Sequence, residues 1–308
     1  MEQFANAKET CQNQMEAGNN KEFNPGLGPV VAGVLLTQDL SSTIQAYQQY
    51  LAVSITRRFT LDELTAEVMT LNQLSGKPCA MLAGESGREW LLIIEATDAI
   101  KRDSLRTHGW MAQEILVQDV DTLVAGLENS PFDVLRPPAD LDVSDRIRAS
   151  QVRGPAGEIL YLTQVKGEVP PFELPSCQAR VDHLFIPVLS TPDRDGSLAE
   201  YEALAAQQGL RFDTRISVVN QAIGLPMQQK HPVATLQLRG KALIEMDSIE
   251  AAVAPPPGLC SGTVAILFQA QGKPPANAKK LTLGPFAGNI MHAFRGRAGE
   301  ISGLLYSS

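Results

Sequence analysis

The chain has 308 residues, 44% of them hydrophobic and 19% charged, and a net charge of −8. That length exceeds one small core and fits two domains of ordinary size. The acid excess argues against a nucleic-acid or anionic-membrane surface, which needs clustered Lys and Arg, and the basic pairs Arg57-Arg58 and Lys279-Lys280 stand isolated.

Cys11, Cys79, Cys177 and Cys260 are far apart and form no Cys-x-x-Cys spacing, which speaks against a zinc knuckle or a dithiol pair and suits a reducing compartment. The first residues carry an acid, Glu2, and no apolar h-region, and nowhere do 18 apolar residues run together. A cytoplasmic location and no membrane span are expected.

Residues 1–29 form a polar lead segment that closes on Asn24-Pro25-Gly26-Leu27-Gly28-Pro29, with room for one short helix over 2–17. The first core strand is predicted to open at Val30 and run to Leu36. Asp39, Ser41 or Ser42 can cap a helix whose apolar stripe, Leu40, Ile44, Tyr47 and Leu51, follows one helical face. Strand-like runs follow at 67–71, 78–83 and 90–95, which completes a βαβββ unit.

The pattern recurs with a strand over 110–117, a helical stripe at Val120, Leu123, Val124 and Leu127, and a last strand through Leu162. Pro170, Pro171 and Pro175 place a linker over 167–179 and divide the chain into a first pair of units at 30–166 and a second at 180–308. The third unit opens at Val181, has a helix over Leu198, Tyr201, Leu204 and Ala205 that Gly209 can terminate, and closes with a strand over 241–246. After Pro255-Pro256-Pro257-Gly258 a fourth unit starts at Thr263, with an abbreviated helix or a missing strand before Pro285.

The chain repeats itself. Arg153-Gly154-Pro155-Ala156-Gly157-Glu158 and Arg295-Gly296-Arg297-Ala298-Gly299-Glu300 are two copies of one turn, each between two strands. Neither is a phosphate loop, because no Lys-Ser/Thr follows and a strand comes next; no Gly-x-Ser-x-Gly elbow supports a serine hydrolase. The apolar run ending in Glu95 also matches the run ending in Glu245.

Four such units in two pairs resemble the vicinal oxygen chelate superfamily, the group of glyoxalase I, extradiol dioxygenases and bleomycin-resistance proteins. The resemblance covers residues 30–306 and is carried by Val181-Asp182-His183-Leu184, opening a strand that leads to a helix, and by the Arg153 to Glu158 turn. Both copies of that turn have Arg-Gly where the family often has Asp-Pro or Gly-Pro. The implied fold is α+β, with four βαβββ modules forming two tandem paired-module domains around open-barrel clefts.

The resemblance further implies a divalent metal (Fe, Mn, Zn, Ni or Mg) that holds substrate oxygens, in a lyase, isomerase or ring-cleavage reaction on a small carbonyl- or hydroxyl-bearing molecule, apolar or aromatic in character. His183 and Glu245 fall on the family's ligand positions, with His292 and then His231 as candidate third ligands. In the first unit Glu95 is in place but its partner position reads Ala32, and the second and fourth units offer Ala112, Tyr161, Thr263 and Gly303 there, which favours as an alternative a metal-free small-molecule binding protein of the bleomycin-resistance type. A homodimer is left open.

Glu114 interrupts an apolar strand on the same face as Ala112, and a buried acid without a partner is costly. With Glu95 and Tyr161 it can line a metal-free cleft as a general base. The plainer readings are an edge strand for Glu114, solvent exits for Glu95 and Glu245, a hydrogen-bonded strand-start histidine for His183 and a loop for His231.

Overall fold

A computed structural model describes residues 26–141 and 144–308; the helix expected over 2–17 and Cys11 lie outside the described residues. The first module contains β1 (Leu27–Thr37), α1 (Leu40–Leu51), β2 (Ser54–Thr60), α2 (Glu63–Val68), β3 (Pro78–Ala83) and β4 (Glu89–Glu95). The second contains β5 (Gly109–Val117), α3 (Val120–Ala125), β6 (Asp133–Leu141), β7 (Ser144–Arg153) and β8 (Ile159–Val165). The third contains β9 (Val181–Thr191), α4 (Arg194–Ala205), β10 (Leu210–Arg215), α5 (Ser217–Ile223), β11 (Lys230–Leu238) and β12 (Ala242–Ser248). The fourth contains β13 (Gly262–Ala270), β14 (Lys279–Lys280), β15 (Ile290–Arg295) and β16 (Ile301–Tyr306), with no helix among the described residues.

One capping device starts four helices, α1, α2, α3 and α4. Asp39, Asp62, Asp119 and Asp193 each accept from the backbone N–H three residues on, at Ser42, Thr65, Thr122 and Gly196. Two local expectations fail. The run at 67–71 is not a strand: Asp62 accepts from the Thr65 N–H and starts α2 there. The strand that completes the module is β2, an edge strand exposed at most positions, which therefore shows no apolar alternation in the sequence. Gly209 does not end α4 either; Ala206 does, in the left-handed region at φ 52°.

The strands form two eight-stranded sheets, in the orders β14-β15-β16-β13-β1-β4-β3-β2 and β10-β11-β12-β9-β5-β8-β7-β6. The paired-module architecture is therefore present, but modules pair across the chain: one with four and two with three, rather than with their sequence neighbours. The seams are antiparallel, β1 against β13 and β5 against β9. No helix among the described residues is long and apolar enough to cross a membrane.

Each sheet has one face in a shared apolar core, which also takes the buried faces of α1, α3 and α4 and holds Tyr47, Trp90, Trp110, Tyr201 and Phe268. Two buried phenol–carboxyl pairs cross this core. Tyr47 on α1 donates to Glu158 Oε1 at 2.6 Å, and Tyr201 on α4 donates to Glu300 Oε1 at 3.0 Å. The second carboxylate oxygen of each Glu accepts from its own turn, from the Ala156 and Ala298 N–H groups at 2.9 and 3.0 Å. A side chain at Gly154 or Gly296 would collide with that carboxylate, which is why the repeated turn keeps glycine there. Each pair ties a helix beside one sheet to a turn of the other.

Losing a hydrogen bond to a buried carboxyl leaves that group unsatisfied, so Tyr47→Phe and Tyr201→Phe should each lower the unfolding free energy by about 1–3 kcal/mol. Urea denaturation checks this, with the half-buried Tyr50→Phe as the near-neutral control.

Candidate functional site

The outer face of each sheet forms a cleft, and the repeat lets the two be compared position by position. Val34 and Val188 each lie five residues before a capping Asp; Val34 pairs with Leu92 and Val188 with Glu245. Leu36 likewise pairs with Ile94, and Ser190 with Asp247. On the other side of each seam, Glu114 pairs with Tyr161 and Leu267 with Gly303, the second member of each pair standing three residues past the repeated turn's Glu. Glu245, Asp247, Glu114 and Tyr161 therefore answer to Leu92, Ile94, Leu267 and Gly303.

The cleft of modules one and four is apolar and filled. Leu92, Ile94, Leu267 and Leu305 line it, and Leu61, Met69, Leu71, Leu74, Leu281 and Phe286 pack into it. In the cleft of modules two and three, three carboxyl groups and a phenol stand on the same scaffold. Its apolar wall comes from Ala112, Ile159 and Val188 on the strands, Ile216, Val218 and Val219 at α5, and Leu105, Ile249 and Ala252.

The acids there are held close together and largely out of solvent. Glu114 is 8% exposed and Asp247 fully buried, while Glu245 is partly exposed. Burial and then the neighbouring Glu245 carboxylate push Glu114 up to about 8; the Thr163 hydroxyl opposes the shift without closing a hydrogen bond in good geometry. Burial raises Glu245, and burial together with Glu245 and Glu114 raises Asp247 well above the usual carboxylate range. Tyr161 is also held far up, by burial and then by Asp247, Glu245 and Glu114.

Both oxygens of Asp247, the Tyr161 hydroxyl and the Thr235 hydroxyl have no hydrogen-bond partner among the described residues. Buried polar atoms are almost always paired, so a cluster of orphans facing one cleft is what a polar ligand would satisfy. At its edge His108 Nδ1 stands 3.5 Å from the hydroxyl of Ser190, the residue paired with Asp247, and burial lowers the pKa of that imidazole.

Of the residues singled out in the sequence, Glu114, Tyr161 and Glu245 converge here. His231 stands on β11 two residues from Val233, which pairs with Asp247, but its Nε2 is held by Asn220 Oδ1 at 2.7 Å. His183 is elsewhere: it is five residues from Val188 on β9, about 16 Å along a strand, and both its ring nitrogens are engaged. Arg88 Nη1 donates to Nε2 at 2.8 Å, so Nδ1 carries the proton and donates to Asp182 Oδ1 at 2.9 Å. Burial lowers its pKa and Arg88 adds to that, against the opposing pull of Asp182.

Glu95 ends β4 on the other sheet, opposite Thr37, partly exposed. Its structural counterpart is Ser248, which pairs with Thr191; the match of Glu95 to Glu245 is three positions out of register. His292 is on β15 of that same other sheet, between Met291 and Ala293, which pack toward the apolar cleft. His183, His231, His292 and Glu245 thus do not come together, and among the described residues no three His, Cys, Asp or Glu side chains could hold a metal ion. The residues present do not fit the expected metal site.

Asp247 escaped the sequence reading, although Glu245-Met246-Asp247 carries a signal for it: acids two apart in an apolar strand share a face.

No family model matches the chain, and no curated protein matches it. Among solved structures it is similar to glyoxalase I from Zea mays, with a TM-score of 0.60 and 12% identity over 90% of this chain and 92% of that one. It is also similar to a putative dioxygenase from Bacillus subtilis, with a TM-score of 0.60 and 10% identity over 93% of this chain and 86% of that one. The chain shares the paired-module fold of these two structures.

Two outcomes follow from this geometry. Glu114 has a folded pKa above its unfolded value, so the folded protein keeps a proton that the unfolded chain has already released; its stabilising contribution is complete below about 4.5 and is lost as pH rises to about 8. Thermal midpoints should therefore fall from pH 7 to pH 8.5, and Glu114→Gln should remove most of that fall. His183→Ala should lower the thermal midpoint while leaving the protein's metal content unchanged in elemental analysis; loss of stoichiometric metal would restore His183 as a ligand.

Proposed function

We propose that the cleft of modules two and three is the active site of a glyoxalase- or dioxygenase-like enzyme that moves protons on a small, largely apolar molecule bearing a carbonyl or hydroxyl group. The observation that carries this reading is the contrast between the two clefts: identical strand positions hold Leu92, Ile94, Leu267 and Gly303 in one and Glu245, Asp247, Glu114 and Tyr161 in the other. A chain that fills one cleft with apolar side chains and burdens the other with like charges accepts a stability penalty where a function can use it.

Proton transfer next to a carbonyl needs a base for the C–H and an acid for the oxygen, and two carboxyl groups in different surroundings supply both. Glu245, nearer solvent, ionises more readily and takes the carbon-bound proton. Glu114, deeper and raised to about 8, is still protonated at neutral pH and donates to the developing enolate oxygen, with the Tyr161 hydroxyl as a second donor. Glu245 then returns its proton to the former carbonyl carbon while the hydroxyl on the first carbon gives its proton to Glu114, which completes an isomerisation and restores both carboxyl groups. The apolar wall excludes water and strengthens these interactions. No step is routed through a metal, because the donor set does not fit one.

The alternative, a metal-free small-molecule binding protein, is favoured by the apolar wall of Ile216, Val218 and Val219 alone. Proton exchange separates the two. In deuterated buffer the protein should catalyse exchange of the C–H next to the carbonyl in α-hydroxyketones, diketones or hemithioacetals, and Glu114→Gln should slow it by about 10²–10⁴-fold. Saturable binding without exchange across that panel would establish the binding protein instead.

A further inference from the structure

A cavity of about 580 Å³ opens away from this cleft, between the start of α1, the segment joining β4 to β5, and the first copy of the repeated turn. That volume suits a small ligand. The repeat explains why the space exists. In the second copy Arg297 lies across the start of α4, with Nη1 3.5 Å from Asp193 and Nε 3.2 Å from Glu200. In the first copy the corresponding residue is Pro155, so no side chain crosses the start of α1 and the space beside Asp39 stays open.

Positive charge lines that space from another direction. Lys101, Arg102 and Arg153 line it together with Asp39 and Asp103. Both acids are already engaged: Asp39 accepts from the Ser42 N–H and hydroxyl, and Asp103 pairs with Arg153 at 3.8 Å. Lys101 and Arg102 have no carboxylate partner among the described residues. Arg102 donates from Nη2 to the Trp110 and Thr263 carbonyls at 2.8 and 3.0 Å, while its Nε is buried without an acceptor. A largely buried guanidinium with no counter-charge is costly, and burial lowers its pKa accordingly.

We propose that this cavity is a second ligand site, for a small anionic molecule carrying a carboxylate or phosphate group that pairs with Arg102 and Lys101. The anion replaces the missing counter-charge, and the hydroxyl of Ser261 on the cavity wall offers a further polar contact.

Calorimetric titration of the full chain at low ionic strength with inorganic phosphate, and separately with succinate, tests this. Saturable binding of at least one is expected, and the stronger of the two identifies the anionic group. Lys101→Gln should weaken it about tenfold, the loss of one charge-assisted contact. Pro155→Arg, which restores the side chain of the other copy, should block it. Lys280→Gln, at an exposed site on β14, should leave it unchanged. Absence of saturable binding of both anions, an equal loss in Lys280→Gln and Lys101→Gln, or undiminished binding in Pro155→Arg would each overturn the proposal. Folding of each variant is read from its thermal midpoint, and exchange activity at the Glu114 cleft is an independent readout, so failure of one site does not pass for failure of the other.

Discussion

The structure depends on two hydrogen bonds that bury a carboxyl against a phenol, Tyr47 to Glu158 and Tyr201 to Glu300. Each joins a helix of one sheet to a turn of the other, and each turn keeps a glycine so that the carboxyl can fold back beneath it. With both ends fixed, the central strands of the two sheets meet closely: Trp110 on β5 donates to the Ile301 carbonyl at 2.8 Å, and Gln113 donates to Thr263 at 2.9 Å where Gly33 leaves room for it. The inner face of β5 is thereby committed to the core. Its outer face, with Ala112 and Glu114, is free to become the floor of a cleft.

Duplication then makes two clefts available, and the chain treats them differently. One is a second apolar core, stabilised by every methyl group it buries. The other concentrates Glu114, Glu245 and Asp247, whose mutual repulsion and desolvation oppose folding unless protons or a ligand offset them. The same divergence recurs at the repeated turn, where Arg297 closes one surface and Pro155 leaves the other open. Apolar packing is concentrated in modules one and four, and the buried acids in modules two and three.

The module grammar was legible in the sequence because it rests on local signals: Asp39 at a helix start, the Leu40 to Leu51 stripe, and the repeated Arg-Gly turn. Glu114 was legible because an acid inside an apolar strand is conspicuous. The cross-chain pairing of modules was not, since one unit's pattern is equally satisfied by any partner's edge; the seam of β1 with β13 is settled by contacts more than 200 residues apart. Matching Glu95 to Glu245 followed letter similarity, whereas the strand register places Leu92 there. His183 reads as a ligand until Arg88, 95 residues away, is seen to occupy its second nitrogen.

The central claim is that Glu114, Glu245 and Asp247 form one largely buried, linked cluster in which Glu114 keeps its proton at neutral pH. Carboxyl carbon NMR of the ¹³C-labelled protein, assigned through single Glu→Gln and Asp→Asn variants, reads this directly. Glu114 is expected to titrate near 8, with Glu245 and Asp247 also displaced upward and their curves linked. Three independent titrations in the ordinary carboxylate range, near 4, would show a hydrated and uncoupled face and contradict the account.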